Sequence, residues 1–490
     1  SLMGVAGLDI RFGTEGWRGV MGEDFTFANV RRVGFALVDY LQKSSLDMRS
    51  GPVVIGYDTR FLSSDYAKEL AGILSASGLP VLLARKSVIT PALSLATVHL
   101  KARLGIMVTA SHNPPKYNGI KIKSPYGGPA DEGTITGIEA CLHCLPQGSP
   151  GWLPSEPSPG EIRHFDPDSI YLSAVRAQVN GEVNYPQGLK IIVDTMHGAG
   201  RGYLDRLLEE KGAQVIGVRR EIDPGFGGTS PEPTEANLQP LKEAVKRYGA
   251  DLGLATDGDG DRLGVVDNTG AYVDAHRVFL LLLTHLYENR MQRGSVVKTL
   301  STSSLVDKAA ESFGLQVREM PVGFKHIAAW CQREAVILGG EESGGYGFPQ
   351  HLLDRDGVLA GLLLVEYIVQ SGRSLGALLE ELARRFGPSV YQRVDLPVPP
   401  NIAQGWPNPP CRLGQRAITD VATLDGLKLK LGNDGWILFR ASGTEPLLRV
   451  YAEAPSKAVL EETMEAGLQW INSADRGTSA SLLWKGYGGE

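Results

Sequence analysis

Three short loops concentrate the side chains of this chain that could do chemistry. The first is Thr109-Ala110-Ser111-His112-Asn113-Pro114, which follows the apolar run LGIMV. A serine is a weak nucleophile unless a base, a metal or an oriented phosphate assists it. The alternative is a turn in which Ser111 and Asn113 bond their own backbone. No G-x-S-x-G elbow is present, which disfavours an acyl-transfer serine. The second loop is Asp257-Gly258-Asp259-Gly260-Asp261-Arg262. Alternating aspartates aim three carboxylates at one spot, and hard oxygen ligands suit Mg²⁺. An EF-hand would need Gly at the sixth position and Glu at the twelfth, where Arg262 and Asn268 stand. The neighbouring arginine suggests a metal beside a phosphate; a solvated acidic turn is the plainer alternative. The third loop, Gly340-Glu341-Glu342-Ser343-Gly344-Gly345, offers acceptors for vicinal hydroxyl groups, although such residues are common in glycine turns.

A fourth segment lies in the tail. Arg440-Ala441-Ser442-Gly443-Thr444-Glu445-Pro446 follows the run WILF, with Arg449 just beyond. An arginine, two hydroxyls and a turn exposing backbone N–H groups make a phosphate cradle. The plainer reading is a tight turn with Arg449 in a surface ion pair. No P-loop occurs, and Gly198-Ala199-Gly200-Arg201-Gly202 lacks dinucleotide spacing and reads as a helix-start turn. Smaller signals are Arg18 near a Gly-rich turn, Lys121 ten residues after Ser111, and Lys325-His326 opening a helix, whose N-terminus favours anions. A buried structural histidine is the commoner fate of a residue such as His326.

Something must position these loops. Short β-branched runs alternate with amphipathic helical runs three times, the pattern of α/β units with largely parallel pairing. PVVIGYD, LGIMVTA, LKIIVDT, DLGLATD, GSVVKTL and AVILGG read as strands. Each repeat ends in an apolar strand that runs into one of the polar loops, and ligands of open α/β sheets bind beyond such strand ends. The fold class is therefore α/β: three similar units with mixed sheets, plus a C-terminal α+β domain, around a central cleft. The expected domains are 1–150, 151–272, 273–388 and 389–490. LPQGSPGWLPSEPSPGE reads as the linker after the first, and LPVPPNIAQGWPNPP as a loop within the tail.

Composition narrows the class. The 490 residues carry 49 Lys+Arg against 55 Asp+Glu, a net charge of −6. Nucleic-acid and membrane-surface partners would call for basic runs and are not expected. The longest apolar stretches, VFLLLLTHLY and VLAGLLLVEYIV, fall short of a bilayer span. Four cysteines make no disulfide framework, CLHC has no second pair, and no signal-peptide pattern opens the chain. A reduced, cytoplasmic protein is expected.

In order along the chain, GTEGWRG, TASHNP, DGDGDR, GFK, GEESGG and RASGTEP resemble the α-D-phosphohexomutase superfamily of phosphoglucomutases and phosphomannomutases. The resemblance covers nearly the whole length. It implies four domains around a cleft, and an intramolecular phosphotransferase that interconverts hexose 1-phosphate and hexose 6-phosphate. Ser111 would be carried as a phosphoserine and would also contact the Mg²⁺ held by Asp257, Asp259 and Asp261. Lys121 would be the general base, with Arg18, His112 and Arg262 near the transferring phosphate. Glu341 and Ser343 would read sugar hydroxyls, helped by Lys325 and His326. Arg440, Ser442, Gly443, Thr444 and Arg449 would hold the other phosphate. Hexose 1,6-bisphosphate would be intermediate and activator, and the protein a monomer or homodimer. Mannose- and glucosamine-handling branches resemble one another in ending the sugar loop with histidine, where this chain has Gly345. The resemblance leans towards glucose, with mannose next. Another sugar such as glucosamine phosphate, or a non-catalytic sugar-phosphate-binding protein, is the alternative.

Overall fold

A computed structural model describes residues 10–13, 15–44, 51–145, 160–397, 406–442 and 447–474. Most of the expected linker at 145–161 and much of the loop at 396–410 lie outside them. The chain forms two compact units, residues 1–297 with 323–379, and residues 298–322 with 380–490. The segment expected as 273–388 therefore contributes residues 298–322 and 380–388 to the second unit.

The first unit contains two mixed sheets. One has six strands in the order Trp17–Val20, Tyr117–Lys123, Leu104–Val108, Val53–Tyr57, Val81–Ala84 and Ile162–Phe165. Its central and far strands run parallel, while Tyr117–Lys123 runs antiparallel to both of its neighbours. The second sheet has the order Tyr272–Val273, Leu263–Val266, Leu252–Thr256, Lys190–Asp194 and Gln214–Val218, parallel except at Leu263–Val266 and Tyr272–Val273. Leu104–Val108 and Leu252–Thr256 are buried at every position, as expected of strands covered on both faces. A short antiparallel pair, Val336–Gly340 with Tyr346–Gly347, carries the third loop.

The apolar runs become core helices. Ala275–Thr284 starts at Asp274, whose side chain accepts from Arg277 N, and Gly357–Ser371 starts at Asp356, which accepts from Leu359 N. No single helix among the described residues is long and apolar enough to cross a membrane. The glycine-rich turn at 198–202, expected to start a helix, precedes one that begins at Leu204. Its glycines serve close approach instead: a Cβ on Gly198 would stand 2.7 Å from Gly258 O, and one on Gly200 2.3 Å from Thr256 Oγ1.

The second unit is built on a five-stranded antiparallel sheet, ordered Val390–Pro397, Leu447–Ala454, Trp436–Ala441, Leu427–Lys430 and Asp420–Ala422. The helix Lys457–Ala474 covers it through Leu460, Met464, Leu468 and Ile471. This is the expected α+β tail.

Candidate active site

Ser111 stands three residues past the wholly buried strand Leu104–Val108, in the left-handed region with φ +52, and is itself buried. A non-glycine residue held there stores strain of about 1–3 kcal/mol, so its surroundings must over-determine it. They do. Ser111 N donates to Thr109 Oγ1 at 2.8 Å, and Thr109 Oγ1 donates to Asp58 Oδ2 at 2.6 Å. Asp58 follows the neighbouring parallel strand and also takes Ser63 Oγ (2.7 Å) and Arg60 N (3.0 Å). Arg60, ion-paired with Asp58 at 3.2 Å, donates to the carbonyls of Ser111, Asn113, Pro114 and Tyr117, all within 3.0 Å. Sequence reasoning passes over Asp58 and Arg60, although GYDTR sits at a strand end that the same pattern marks.

The aspartate loop meets this turn. Gly258 lies so close that a Cβ would stand 2.4 Å from Ser111 O, so no other residue type fits without movement. Ser111 Oγ donates to Asp257 Oδ2 at 2.9 Å. Asp257, Asp259 and Asp261 are fully buried, and each offers a ligand atom within 4.8 Å of the other two. Thr90 holds Asp259 from the first sheet's side, through Oγ1 at 2.5 Å. Lys121 Nζ donates to Asp259 Oδ2 at 2.7 Å and to Asp261 Oδ2 at 2.8 Å. Asp259 Oδ1 and Asp261 Oδ1 are buried without any hydrogen-bond donor. Buried carboxylate oxygens in that state are costly, and two of them beside a third carboxylate fit a hard divalent ion.

Burial raises the pKa of Asp257 well above the carboxylate range, and Asp261 and Asp259 add to it. Burial opposes charge on the Lys121 ammonium, but Asp259 and Asp261 outweigh it and raise its pKa. In this arrangement Lys121 is a donor. It becomes a proton acceptor only if those carboxylates are neutralised by something else. His112 is driven well below its usual value by burial and then by Arg262, Arg18 and Lys121, so it is neutral, and its Nδ1 is buried without a partner. Arg18 bonds Asn113 Oδ1 and lies 3.4 Å from Glu15, while Arg262 lies 3.6 Å from Glu232 and donates its backbone N–H to Asp257 Oδ1.

The third loop joins the same constellation. Leu263 N bonds Gly344 O at 3.0 Å, and Glu341 is buried with Arg355 Nη1 at 3.1 Å. Ser343 is half-buried on the turn that Glu341 N closes with Gly345 O. Lys325 lines a pocket together with Glu15, Lys121 and Arg355, and His326 follows it on the helix Phe324–Cys331. Arg355 and Glu15, 2.5 Å apart, are site residues that sequence reasoning does not single out. Glu15 sits inside the GTEGWRG run, and Arg355 inside Asp354-Arg355-Asp356, at the start of a buried helix.

Burial raises the Glu341 carboxyl pKa to about 7 from 4.5, with Glu15 adding to the shift and Arg355 opposing it. Between those values the folded state keeps a proton that the unfolded chain has released, so folding is favoured less as pH rises through the window. Glu341→Gln mimics the protonated form. In chelator, its unfolding free energy relative to the wild type should rise by about 1–3 kcal/mol from pH ~4.5 to ~8. A relative stability that is flat or falls with pH in urea titrations contradicts the shift.

In the second unit, Arg440 and Arg449 are register partners on adjacent strands. Arg440 Nε pairs with Asp425 Oδ2 at 2.9 Å, and Arg449 Nε lies 3.9 Å from Asp395. Ser442 N closes on Leu447 O at 2.8 Å. Gly443 and Thr444 lie outside the described residues.

Comparison with known proteins identifies the family. Profiles of the phosphoglucomutase/phosphomannomutase family match as alpha/beta/alpha domain I over residues 9–146, domain II over 169–270, domain III over 274–386, and the C-terminal domain over 414–467. A phosphoglucomutase/phosphomannomutase of Thermococcus kodakarensis is 34% identical over 470 residues, 95% of this chain and 99% of that protein. A phosphoglucosamine mutase of an Exiguobacterium species is 32% identical over 464 residues, 93% of this chain and 96% of that one. A solved Thermus thermophilus structure named for a phosphomannomutase superposes with TM-score 0.81 at 35% identity, covering 95% of this chain and 99% of that one. With its three α/β/α domains, its C-terminal domain and a buried serine against an aspartate triad, the chain belongs to the phosphoglucomutase/phosphomannomutase family of intramolecular phosphotransferases.

Proposed function

We propose that this enzyme interconverts hexose 1-phosphate and hexose 6-phosphate, with glucose preferred and mannose accepted, through a phosphoserine at Ser111 and a hexose 1,6-bisphosphate. The contact of Ser111 Oγ with Asp257, 2.9 Å, is the observation that carries the reading. A hydroxyl placed on a metal-type triad is positioned to give and receive a phosphoryl group. Charge balance supports it. Glu15, Asp257, Asp259, Asp261 and Glu341 face Arg18, Lys121, Arg262 and Arg355, five acids against four cations. Burial keeps the proton on Asp257 in that arrangement, and a phosphoryl group of charge about −1.5 to −2 on Ser111 adds negative charge beside it. Mg²⁺ on Asp257, Asp259 and Asp261 would supply the missing positive charge.

The remaining work falls to the chain itself, since phosphoryl transfer is mostly positioning and electrostatic stabilisation. Arg60, Thr109 and Asp58 hold Ser111 in its strained turn. Arg18 and Arg262 flank the phosphoryl group, with His112 neutral beside them. The Oγ–P bond breaks as a sugar hydroxyl bonds phosphorus, and that hydroxyl's proton ends on Oγ. Lys121 relays the proton once its aspartate partners are neutralised. Glu341 and Ser343 accept from ring hydroxyls, helped by Lys325 and His326. Arg440, Ser442, Gly443, Thr444 and Arg449 hold the phosphate that is not reacting. A four-domain division at 150, 272 and 388 and a cytoplasmic monomer or homodimer belong to this reading.

Coupled assays on the 1-phosphates of glucose, mannose, glucosamine and N-acetylglucosamine test it. Glucose 1-phosphate should turn over fastest. A faster glucosamine reaction would transfer the assignment to the amino sugar, in line with the Exiguobacterium relative. Stoichiometric release of inorganic phosphate without isomerisation would end the mutase reading.

A further inference from the structure

Arg440 and Arg449 stand opposite one another in the antiparallel register of the tail sheet, which brings two positive charges together on one face. Like charges placed directly opposite are destabilising. Two carboxylates answer them in different ways. Asp395, the register partner of Arg449 on its other side, takes Arg393 Nε and Nη2 at 2.7 and 2.6 Å and stands 3.9 Å from Arg449 Nε. Asp425 is committed to Arg440. Its Oδ2 accepts from Arg440 Nε at 2.9 Å and from Val322 N at 3.0 Å. The backbone N–H fixes the carboxylate, and the carboxylate holds the guanidinium at the nitrogen nearest its stem. Among the described residues, Arg440 Nη1 and Nη2 have no partner. The turn before the strand Leu427–Lys430 is built for this contact. Gly426 is left-handed, with φ +95, and a Cβ there would stand 2.3 Å from Phe439 O and 3.1 Å from Arg440 Cα. Glycine at that position lets Asp425 come close to the base of Arg440.

We propose that Asp425 is a positioning residue for the reaction: it holds Arg440 by Nε so that Nη1 and Nη2 are presented together to the phosphate that is not reacting. Two N–H groups in one plane match two oxygens of a phosphate. A guanidinium already fixed also loses less freedom on binding than one that swings. The rival expectation is that the carboxylate competes with phosphate for Arg440. Contact through Nε alone leaves both Nη groups open, which favours orientation over competition. A phosphate held loosely would let the bisphosphate leave before it has turned round. The inference rests on the hexose-phosphate reading.

Kinetics on the hexose 1-phosphate that the wild type turns over fastest, with calorimetry of the matching 6-phosphate, test it on Asp425→Asn, Arg440→Lys and the double variant. Asparagine keeps an acceptor for Val322 N and removes the ion pair, while lysine keeps the charge of Arg440 and lacks its fork. Asp425→Asn should raise KM and weaken binding by about tenfold, about 1.4 kcal/mol, with a smaller change in kcat. It should also need more added hexose 1,6-bisphosphate than the wild type for steady turnover. On the Arg440→Lys background the same change should weaken binding by less than about twofold. Equal losses on both backgrounds, unchanged affinity, or tighter binding by Asp425→Asn overturns the proposal. If the double variant fails to fold, the bisphosphate requirement of Asp425→Asn decides, and a requirement equal to that of the wild type overturns it. A wild type that isomerises no hexose phosphate is a different failure, that of the mutase reading.

Discussion

Ser111→Ala should eliminate hexose phosphate isomerisation, with a loss in kcat of about 10⁴-fold or more, while the protein stays folded. The size follows from the role. A residue that forms the covalent intermediate cannot be replaced by binding energy, and losses of about 10⁴–10⁶ are typical of such removals. The structure limits collateral damage. Alanine at φ +52 is no worse placed than serine, and the clamp of Arg60 on the carbonyls of 111–117 uses the backbone alone. Only the Ser111–Asp257 bond is lost, about 1 kcal/mol. Intact-mass analysis should find one labile phosphate on the wild type and none on the variant. Retention of full turnover by Ser111→Ala would reject the phosphoserine altogether.

Chelation of divalent ions should also abolish turnover, and Asp259→Asn should lower kcat by at least about 100-fold with Mg²⁺ near its wild-type optimum. Asp259 is the informative position because its Oδ2 is committed to Lys121 and Thr90, while Oδ1 has no donor. The amide keeps the size and an acceptor but removes a charge from a site whose acids outnumber its cations. Thermal unfolding gives a second readout. Added Mg²⁺ should raise the wild-type melting temperature, since a ligand at about 100 times its Kd stabilises by about 2.7 kcal/mol, and should leave Asp259→Asn nearly unmoved. Unchanged activity in chelator would remove the metal from the reading.

The helices Phe27–Lys43, Thr90–His99, Glu132–Cys144 and Asp168–Gln178 are less legible in the sequence than the loops. Thr90–His99 is buried nearly all round and carries little amphipathic signal, yet its first residue bonds Asp259. The tail loop is legible through its arginines and hydroxyls. Of these, Arg440 and Arg449 stand side by side for a reason any antiparallel register supplies, the pairing of Trp436–Ala441 with Leu447–Ala454.

Local chemistry marks Ser111, the aspartate triad, Lys121 and Glu341 as candidates, and the resemblance of their loops to a known family is what gives them roles, because strand periodicity and residue type are short-range properties of the chain. The identity of Arg355, Glu15, Arg60 and Asp58 as members of the same site is not accessible in that way. Asp261 and Arg355 are 94 positions apart, and Ser111 and Asp257 are 146. Coulomb energy depends on separation in space and on burial, never on separation along the chain. Which acids keep their protons, which cation each aspartate holds, and which glycine makes room for an arginine were therefore decided by folding.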